Sequence, residues 1–427
     1  MAFQQGLSGL NAASKTMETI GNNVANAGTV GFKKSEAQFS DVYASSLIGS
    51  GASPIGIGVK LARVEQQFTQ ANITGTNNPL DIAINGDGFF RLSSGGAITY
   101  SRNGQFQLDR NGNIENADGA LLTGYSVLAN GTITNGAPTP LKITNTALAP
   151  KATSAYDVNL NLDSGDAVIP GATPFDPAVP SSYSNQTSVA IYDSLGNSHT
   201  LSTYYVNRGP TPGPGNSWDV YATCDGVPVD LTSALPAAAA PAASFAPANG
   251  VQIQFTQGGS PSAAIPTIAA SVVLTNGANS PQAVNINFAG TTQYALDFVV
   301  RDQTQDGYTA GNLVSFNLSS DGKIIGSYTN GQVYTLGQIA LARFPNPNGL
   351  VPEGNNAFVE TAISGPPVVA KPGNSGLGLV QSSSVEDSNV DLTAELVAMI
   401  TAQRIYQANA QTIKTEDQVM QTLVNLR

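Results

Sequence analysis

Residues 388–427 read SNVDLTAELVAMITAQRIYQANAQTIKTEDQVMQTLVNLR and contain neither Gly nor Pro. A set of positions in this stretch recurs at alternating spacings of four and three, which is the period of one face of a long helix. The set is Leu392, Leu396, Met399, Gln403, Tyr406, Ala410, Ile413, Asp417, Met420 and Val424. Ser388 followed by Asp391 predicts an N-cap with an acid in the first turn. At about 1.5 Å per residue, the predicted helix is roughly 55 Å long.

The other end of the chain carries a matching pattern, which predicts a helix from about Phe3 to about Val24. Its stripe consists of Phe3, Leu7, Leu10, Ser14, Met17, Gly21 and Val24, widened by Ala13 and Ile20. Asn22, Asn23, Asn26 and Gly28 then supply residues that suit a helix end. Two amphipathic helices therefore bracket the chain.

Two interpretations of these helices stay open from the pattern alone. The first is an antiparallel pair that closes one domain. The second, which we favour, is a pair that is completed only by other copies of the chain. The C-terminal helix is apolar on more than one side, and its outward positions are mostly uncharged amides and Thr rather than the Lys and Glu of a solvated helix. The predicted subunit-interface residues are Phe3, Leu7, Leu10, Met17, Ile20 and Val24 of the first helix and Leu392, Leu396, Met399, Tyr406, Ile413, Met420 and Leu423 of the second.

Composition restricts the class of the protein. Charged residues make up 11 % of the 427 residues, against a usual value of about 25 %. The 44 Gly and 25 Pro indicate a turn-rich, β-rich middle. A net charge of −11 argues against nucleic acid or an anionic membrane as a partner. The sequence contains no apolar run long enough to span a bilayer and no pattern typical of a cleaved signal peptide at its start.

The middle of the chain carries alternating strand patterns separated by turn signals. Hairpin turns are predicted at Asn103-Gly104, Asn111-Gly112, Asp118-Gly119, Asp321-Gly322 and Asn330-Gly331. Between about residues 138 and 292 the composition shifts to Pro, Ala, Thr and Ser, which indicates a second β-domain inserted into the first. The predicted fold is mainly β with α-helical termini: a coiled-coil-like pair of N- and C-terminal helices with two nested β-domains between them. The expected boundaries are 1–32 with 386–427 for the helical domain, 33–70 with 359–385 for a connector, 71–145 with 293–358 for an inner β-domain, and 146–292 for an inserted outer β-domain.

No catalytic, cofactor or metal site is predicted. The single His, His199, is expected in a surface turn, and the single Cys, Cys224, in a buried or turn position. The stretch from Asp302 to Gly307 has some features of a calcium loop, but Leu313 stands where a bidentate Glu is required, so a strand end and turn is expected instead. The Asn-x-Thr patterns at Asn72 and Asn185 are short enough to arise by chance.

Two stretches carry a resemblance to a known family. Asn22-Asn23-Val24-Ala25-Asn26, followed by Gly31-Phe32-Lys33, resembles the N-terminal signature of the bacterial flagellar rod and hook family. Residues 402–415, AQRIYQANAQTIKT, resemble its C-terminal signature. Residues 100–125 are similar to the inner β-domain of that family. The signature residues are Asn22, Asn23, Asn26, Gly31, Phe32, Lys33, Gln403, Gln407, Asn409 and Lys414.

The resemblance implies a structural protomer and not an enzyme. Copies are expected to polymerise into a flexible helical tube that transmits torque from rod to filament, with the C-terminal helix lining an export channel. The large insert favours a hook member over a distal rod member. Hook–filament junction members are usually longer and match the β-turns less well. A secreted binding module or adhesin is the alternative from another class. Implied partners are further copies, the distal rod protein, the hook cap protein, the junction protein and the flagellar type III export apparatus. The implied location is extracellular, in the flagellum, after export without a cleaved signal.

Overall fold

The computed structural model of the chain describes residues 2–42, 56–128, 131–143, 147–210, 215–239, 241–242, 245 and 249–425, with the side chains of residues 2 and 423–425 left out. The two α-helices are α1, Ala2–Ala25, and α2, Leu392–Asn425. Two short 3-10 helices lie at Pro180–Ser182 and Pro347–Gly349.

Every other regular element in the described residues is a strand. The first ten are β1 Ser35–Val42, β2 Gly58–Gln66, β3 Ile73–Gly75, β4 Ile82–Asn85, β5 Phe89–Ser94, β6 Ala97–Ser101, β7 Phe106–Leu108, β8 Ile114–Asn116, β9 Leu121–Ser126 and β10 Thr139–Pro140. The next ten are β11 Ala155–Asp163, β12 Asn185–Tyr192, β13 Ser198–Pro210, β14 Asn216–Cys224, β15 Val227–Thr232, β16 Val251–Gln254, β17 Ile268–Val272, β18 Gln282–Asn287, β19 Thr292–Tyr294 and β20 Val299–Gln305. The last nine are β21 Leu313–Leu318, β22 Lys323–Tyr328, β23 Val333–Ile339, β24 Leu341–Arg343, β25 Val351–Gly354, β26 Ala357–Val359, β27 Val368–Ala370, β28 Leu379–Ser382 and β29 Ser384–Glu386. The prediction of a mainly β chain with helical termini is confirmed.

The start of α2 differs from the predicted one. Asp391 is the N-cap, because its Oδ1 accepts hydrogen bonds from the N–H groups of Thr393 at 2.9 Å and Ala394 at 3.1 Å. The prediction of Ser388 as the cap was wrong. The neighbouring Asn389 holds this segment out of the helix, since its side chain accepts a hydrogen bond from the Lys34 N–H and donates one to the Gln67 carbonyl, both at 2.7 Å.

The described chain forms two compact units. Unit 1 comprises Met1–Asn145, Val314–Ser327 and Val333–Arg427, and unit 2 comprises Thr146–Leu313 and Tyr328–Gln332. A second β-unit inserted into a first is therefore observed, and strands β19 and β20 pair with β11 inside unit 2. The finer division of the chain into four parts stays a prediction.

Unit 1 is built on a branched sheet whose main path runs β21-β22-β23-β9-β5-β6-β26-β25. Its aromatic core contains Phe89, Tyr100, Phe344 and Phe358, and the rings of Tyr100 and Phe344 meet edge to face with centroids 4.7 Å apart. The expected connector is more regular than its composition indicated, because β1 and β2 form an antiparallel pair from Ser35↔Gln66 to Val42↔Gly58.

Unit 2 is built on a sheet with the order β12-β13-β14-β15-β17-β18-β11-β19. Strand β14 is central, and its residues from Ser217 to Cys224 are all buried. This explains its run of Trp, Val, Tyr and Ala, which an alternating, half-exposed strand would not contain. The buried Asp219 in the same strand is compensated by Arg208, whose Nε donates to its carboxylate at 2.6 Å.

One of the predicted hairpin turns was wrong. Asn103-Gly104 does not join paired strands, because β6 pairs with β5 and β26 whereas β7 pairs with β8. The Gly104 carbonyl instead accepts a hydrogen bond from the Ile82 N–H at 2.8 Å. A Cβ at Gly104 would lie 1.7 Å from the Ile82 carbonyl oxygen, so this glycine permits a close crossing of two chain segments. The turns at Asn111-Gly112, Asp118-Gly119 and Asn330-Gly331 do join paired strands.

Candidate functional site

Helices α1 and α2 pack against each other in antiparallel orientation. The Asn23 amide nitrogen lies 3.2 Å from a Glu395 carboxylate oxygen, near the end of α1 and the start of α2. Toward the other end of the pair, a Cβ at Gly9 would meet the Asn409 amide at 2.7 Å, and one at Gly6 would meet Ile413 at 3.0 Å. The two glycines therefore allow a close approach of the helices. The structure thus contains the intramolecular pair that was the less favoured interpretation.

The predicted interface residues of α1 divide between the seam and the surface. Ile20 is buried, and Leu10, Met17 and Val24 are half-buried. Phe3 and Leu7, in contrast, expose 49 % and 45 % of their surface. The outer end of the α1 stripe is therefore left uncovered in the single chain.

The α2 residues are more exposed. The seam facing α1 contains the buried Ala402 and Glu395 and the half-buried Met399, Tyr406 and Ile413. Among the predicted interface residues, Leu392, Leu396 and Met420 are exposed, while the side chain of Leu423 lies outside the described residues. Four further large apolar residues outside the seam are exposed by half or more, namely Val397, Ile400, Ile405 and Val419. One helix partner therefore covers only part of the apolar surface of α2.

The N-terminal signature holds the end of α1 in place. Asn23 is 1 % exposed, and its side chain both donates to the Ser35 carbonyl at 2.8 Å and accepts from the Ser35 N–H at 2.9 Å. Asn26 donates to the Asn22 carbonyl at 3.0 Å and its Oδ1 lies 3.3 Å from the Thr29 hydroxyl, so it stabilises the helix end. Asn22 itself has an exposed side chain, and Phe32 is half-buried.

Gly31 is required by two features of its position. Its φ is +71°, in the region that favours glycine, and a Cβ would lie 2.6 Å from the Asn103 nitrogen. Its N–H donates to the Glu386 carbonyl at 2.8 Å. This glycine therefore joins the segment after α1 to the segment before α2.

Two residues after Gly31, Lys33 is part of a cluster of buried charged side chains. The Lys33 Nζ lies 2.8 Å from Glu386 Oε1, and the Arg102 Nη1 lies 3.3 Å from Glu386 Oε2, with all three side chains at most 3 % exposed. The Ala71 N–H also donates to Glu386 Oε1 at 3.0 Å. Burial lowers the pKa values of Lys33 and Arg102, and the Glu386 carboxylate opposes that shift. Spacing could not predict this cluster, because its members are far apart in sequence and only the fold brings them together.

The C-terminal signature residues lie mostly on the solvent side of α2. Gln403, Gln407 and Lys414 are exposed, whereas Asn409 is half-buried opposite Gly9. Among the described residues, none forms a hydrogen bond or ion pair with the side chains of these exposed three.

The structure also shows where other residues considered in the sequence analysis lie. Asp302 lies exposed within β20, which ends at Gln305 as expected. The Asp306 carboxylate binds the Lys151 amine and the Ser154 and Ala155 N–H groups. Asn185 lies at the start of β12 and donates to Asp166. Cys224 is buried, as one of its two predicted placements required.

The prediction for His199 was wrong in its burial. It lies near the start of β13 rather than in an open turn, and only 14 % of its side chain is exposed. The hairpin turns before β13 and after β14 place Asp193 and Asp225 on either side of its ring.

Among the described helices, none is long and apolar enough to cross a membrane.

Comparison with family models places flagellar proteins along most of the chain. The Flagella basal body rod protein model matches residues 3–33, and the Flagellar hook protein FlgE/F/G D1 domain model matches residues 83–160. The Flagellar basal body protein FlaE D2 domain model matches residues 159–308, and the Flagellar basal body rod FlgEFG protein C-terminal model matches residues 381–426.

Similar proteins cover the whole chain. It is 41 % identical over 435 residues to the flagellar hook protein FlgE of Escherichia coli strain K12, with all of both chains covered. It is 31 % identical over 430 residues to that of Brucella suis biovar 1, covering 100 % of this chain and 98 % of the relative. A solved structure, Helicobacter pylori flagellar hook protein FlgE2, is similar in fold with a TM-score of 0.54 at 13 % identity, over 73 % of this chain and 100 % of that one.

Proposed function

The chain belongs to the flagellar hook protein FlgE family, and on that premise we propose that its copies pack through α1 and α2 into the helical tube of the hook. The protein is a structural protomer of the bacterial flagellar hook. The observation that supports the proposed mode of assembly is the uncovered apolar surface of α2, with Val397 60 % exposed and Ile400 51 % exposed.

Burial of these side chains supplies a driving force. Fully burying one Leu, Ile or Val side chain contributes about 1.5–3 kcal/mol. Several such residues on each α2 are enough to offset a large part of the entropy lost when copies associate. The buried charge cluster of Lys33, Arg102 and Glu386 supports the same proposal. It fixes the start of α2 relative to the sheet of unit 1, so the helix is held in one orientation.

The amide-rich stretch of α2 from Gln403 to Gln418 suits the wall of an export channel. Gln403, Gln407, Gln411 and Gln418 are exposed and uncharged. An amide surface offers hydrogen bonds without a net charge, so it would not trap a passing polypeptide of either sign. We place the channel along residues 403–418 of α2, which follow the exposed apolar positions Val397 and Ile400 along the helix.

The low charge of the chain suits a tube that bends while transmitting torque. Contacts between copies that contain few desolvated ion pairs can slide without the cost of separating buried charges.

The proposed partners are the distal rod protein, the hook cap protein, the hook–filament junction protein and the flagellar type III export apparatus. Export without a cleaved signal is the proposed route to the extracellular location.

The assembly proposal is tested by electron microscopy of the full-length protein after it is induced to assemble with a salting-out agent. Ile400→Glu places a charge on the uncovered face of α2 and is expected to prevent tubes, while far-ultraviolet circular dichroism of the monomer stays unchanged. Ile363→Glu is the matched control, because Ile363 is 74 % exposed but lies outside both helices.

The outcomes separate the alternatives. Curved tubes from the unaltered chain and from the control, with none from Ile400→Glu, support the proposal. Straight, rigid tubes would contradict the proposal that contacts between copies slide as the tube bends. Unassembled particles from all three proteins would mean that α1 and α2 form only an intramolecular pair, which would overturn the proposed mode of assembly.

A further inference from the structure

A group of three metal-binding side chains lies at one end of the sheet of unit 2, outside the terminal helices. One ligand atom each from His199, Cys224 and Asp225 lies within 4.8 Å of the other two. The group combines a nitrogen, a sulfur and an oxygen donor. It brings together the one His and the one Cys of the whole sequence.

Strand pairing fixes these residues. Leu201 of β13 is paired with Cys224 of β14, and the Asp225 N–H donates to the Thr200 carbonyl at 3.0 Å. The Thr200 N–H in turn donates to Asp225 Oδ1 at 2.8 Å, which leaves Asp225 Oδ2 directed at the His199 ring. The backbone therefore places the three donors together without any ligand.

The His199 ring lies between two carboxylates. Its Nδ1 is 2.6 Å from Asp225 Oδ2, and its Nε2 is 3.3 Å from Asp193 Oδ2. A neutral imidazole carries one N–H, so it can donate to only one of the two acids. A cation between Nδ1 and Asp225 would balance the second acid while Nε2–H donates to Asp193. A carboxylate that accepts the remote N–H of a ligating His is the usual outer support of a metal-bound imidazole.

Hydrogen bonds hold Asp193, the acid next to His199 Nε2, in place. Asp193 is buried, and its carboxylate accepts from the N–H groups of Leu195 and Asn197 at 2.8 Å each and from the Asn276 amide at 2.6 Å. These bonds fix its orientation, and therefore that of His199, before any cation binds.

We propose that His199 Nδ1, Cys224 Sγ and Asp225 Oδ2 form a binding site for a divalent transition metal of the zinc class. Imidazole, thiolate and carboxylate are the ligands that zinc takes in proteins, and three of them leave a fourth position for water. Zinc bond lengths of about 2.0–2.3 Å place neighbouring ligand atoms about 3.5 Å apart in a tetrahedron. Asp225 Oδ2 must therefore move by about 1 Å away from His199 Nδ1, which its side chain, 51 % exposed, has room to do. Any pair of donors near the limit of 4.8 Å must draw together by a similar amount.

Binding displaces the thiol proton. Burial raises the pKa of the Cys224 thiol to about 12, with Asp225 adding to the shift, so the free site holds a thiol and the metal site a thiolate. That proton goes to solvent. The contact of 2.6 Å between His199 Nδ1 and Asp225 Oδ2 requires an Nδ1–H in the free site, so this N–H bond also breaks when a metal takes Nδ1. Its proton passes to Nε2 if the imidazole is neutral and to solvent if both nitrogens are protonated. The bound metal would connect the start of β13 to the turn between β14 and β15.

The test is a titration of the full-length chain with Co²⁺, which is a spectroscopic substitute for zinc. Because the sequence has one Cys, any thiolate-to-cobalt charge-transfer band reports Cys224. We expect such a band at one cobalt per chain, its loss when Zn²⁺ is added, and a higher melting temperature with Zn²⁺ than without. Cys224→Ser should abolish the band, and His199→Gln should weaken cobalt binding by about tenfold or more.

Asp302→Asn is the matched control, because Asp302 is an exposed acid of the same unit away from the cluster. It should leave the titration unchanged. The proposal is overturned if the unaltered chain shows no charge-transfer band at saturating cobalt, or if His199→Gln binds cobalt as tightly as the unaltered chain. A His199 proton titration that is the same with and without Zn²⁺ would identify a proton, not a metal, as the cation of this site.

Discussion

Glu386 balances two cations at the point where the two terminal segments meet. Both of its oxygens are used, one by Lys33 and Ala71 and the other by Arg102. Removing the negative charge leaves two buried cations without their counter-ion. Breaking a buried pair in this way costs about 3–5 kcal/mol, far more than losing an exposed pair.

Glu386→Gln is therefore expected to destabilise unit 1 by about 3–5 kcal/mol, measured by urea unfolding with far-ultraviolet circular dichroism. Glu18→Gln is the matched control. Glu18 also pairs with a lysine, Lys15 at 2.7 Å, but the two side chains are 59 % and 54 % exposed. Losses of similar size in the two variants would show that the buried cluster does not hold the fold.

Through Asp306, the stability of unit 2 depends on pH in the acid range. Burial alone would raise the pKa of its carboxyl, but hydrogen bonds from Lys151, Ala155 and Ser154 outweigh burial and hold the pKa well below its usual range. A carboxyl with a lowered pKa in the folded state contributes stability above its unfolded pKa of about 3.9. That contribution is lost as the pH falls through the folded pKa.

Asp306→Asn should therefore lower the stability of unit 2 at neutral pH and reduce its further loss between about pH 4 and pH 2. The fluorescence of Trp218, which is fully buried in unit 2, measures the urea midpoint at each pH. Asp302→Asn should keep the pH dependence of the unaltered chain. An unchanged acid slope in Asp306→Asn would contradict the assignment.

At the scale of the element, the cap of α2 distinguishes the observed helix start from the predicted one. Asp391→Ala removes the acceptor of two N–H groups and should cost about 1 kcal/mol. Ser388→Ala, at the position that the sequence indicated, should leave the helix unchanged. Hydrogen exchange of the amides of Thr393 and Ala394 measures the difference, and faster exchange in Ser388→Ala than in Asp391→Ala would restore Ser388 as the cap.

The close approach of α1 and α2 depends on small residues. Gly9→Leu would drive a side chain into Asn409, because a Cβ there already lies 2.7 Å from its amide, whereas a Cβ at Gly21 meets nothing within 4 Å in the single chain. Both changes raise the helix propensity by a similar amount, so the difference between them isolates the contact. Gly9→Leu should increase amide exchange along both helices of the monomer, and Gly21→Leu should not. Faster amide exchange in both variants would mean that it does not arise from the contact between α1 and α2.

At the scale of the whole molecule, unit 2 has what an independent domain requires. Its core consists of its own side chains, among them Trp218, Leu160 and Phe288. The ends of the insert lie together, because Leu148 pairs with Gly311 and Lys151 with Tyr308.

A fragment of residues 147–312 is therefore expected to fold alone. A cooperative thermal transition followed by Trp218 fluorescence would show it, with the full chain as the reference. Gradual, non-cooperative unfolding of the fragment would mean that unit 2 depends on unit 1.

Much of the fold could be read from local pattern. The four-three spacing predicted both helices, and α1 begins and ends within one residue of the prediction. Asn-Gly and Asp-Gly pairs located several hairpins, because those residues adopt the positive φ that tight turns need. Asn103-Gly104 shows the limit of this signal, since the same residues also serve a crossing of two segments.

The sequence by itself determined the class of the protein: helices at both ends, a β-rich middle, an insert and the signatures of the rod and hook family. These features depend on periodicity and on local backbone preferences, which neighbouring residues carry. Only the tertiary structure decided that α1 and α2 pair within one chain, that Lys33 meets Glu386, and that His199 lies between two acids. Such contacts join residues that are distant in sequence, and their energies arise from burial, which no local pattern encodes.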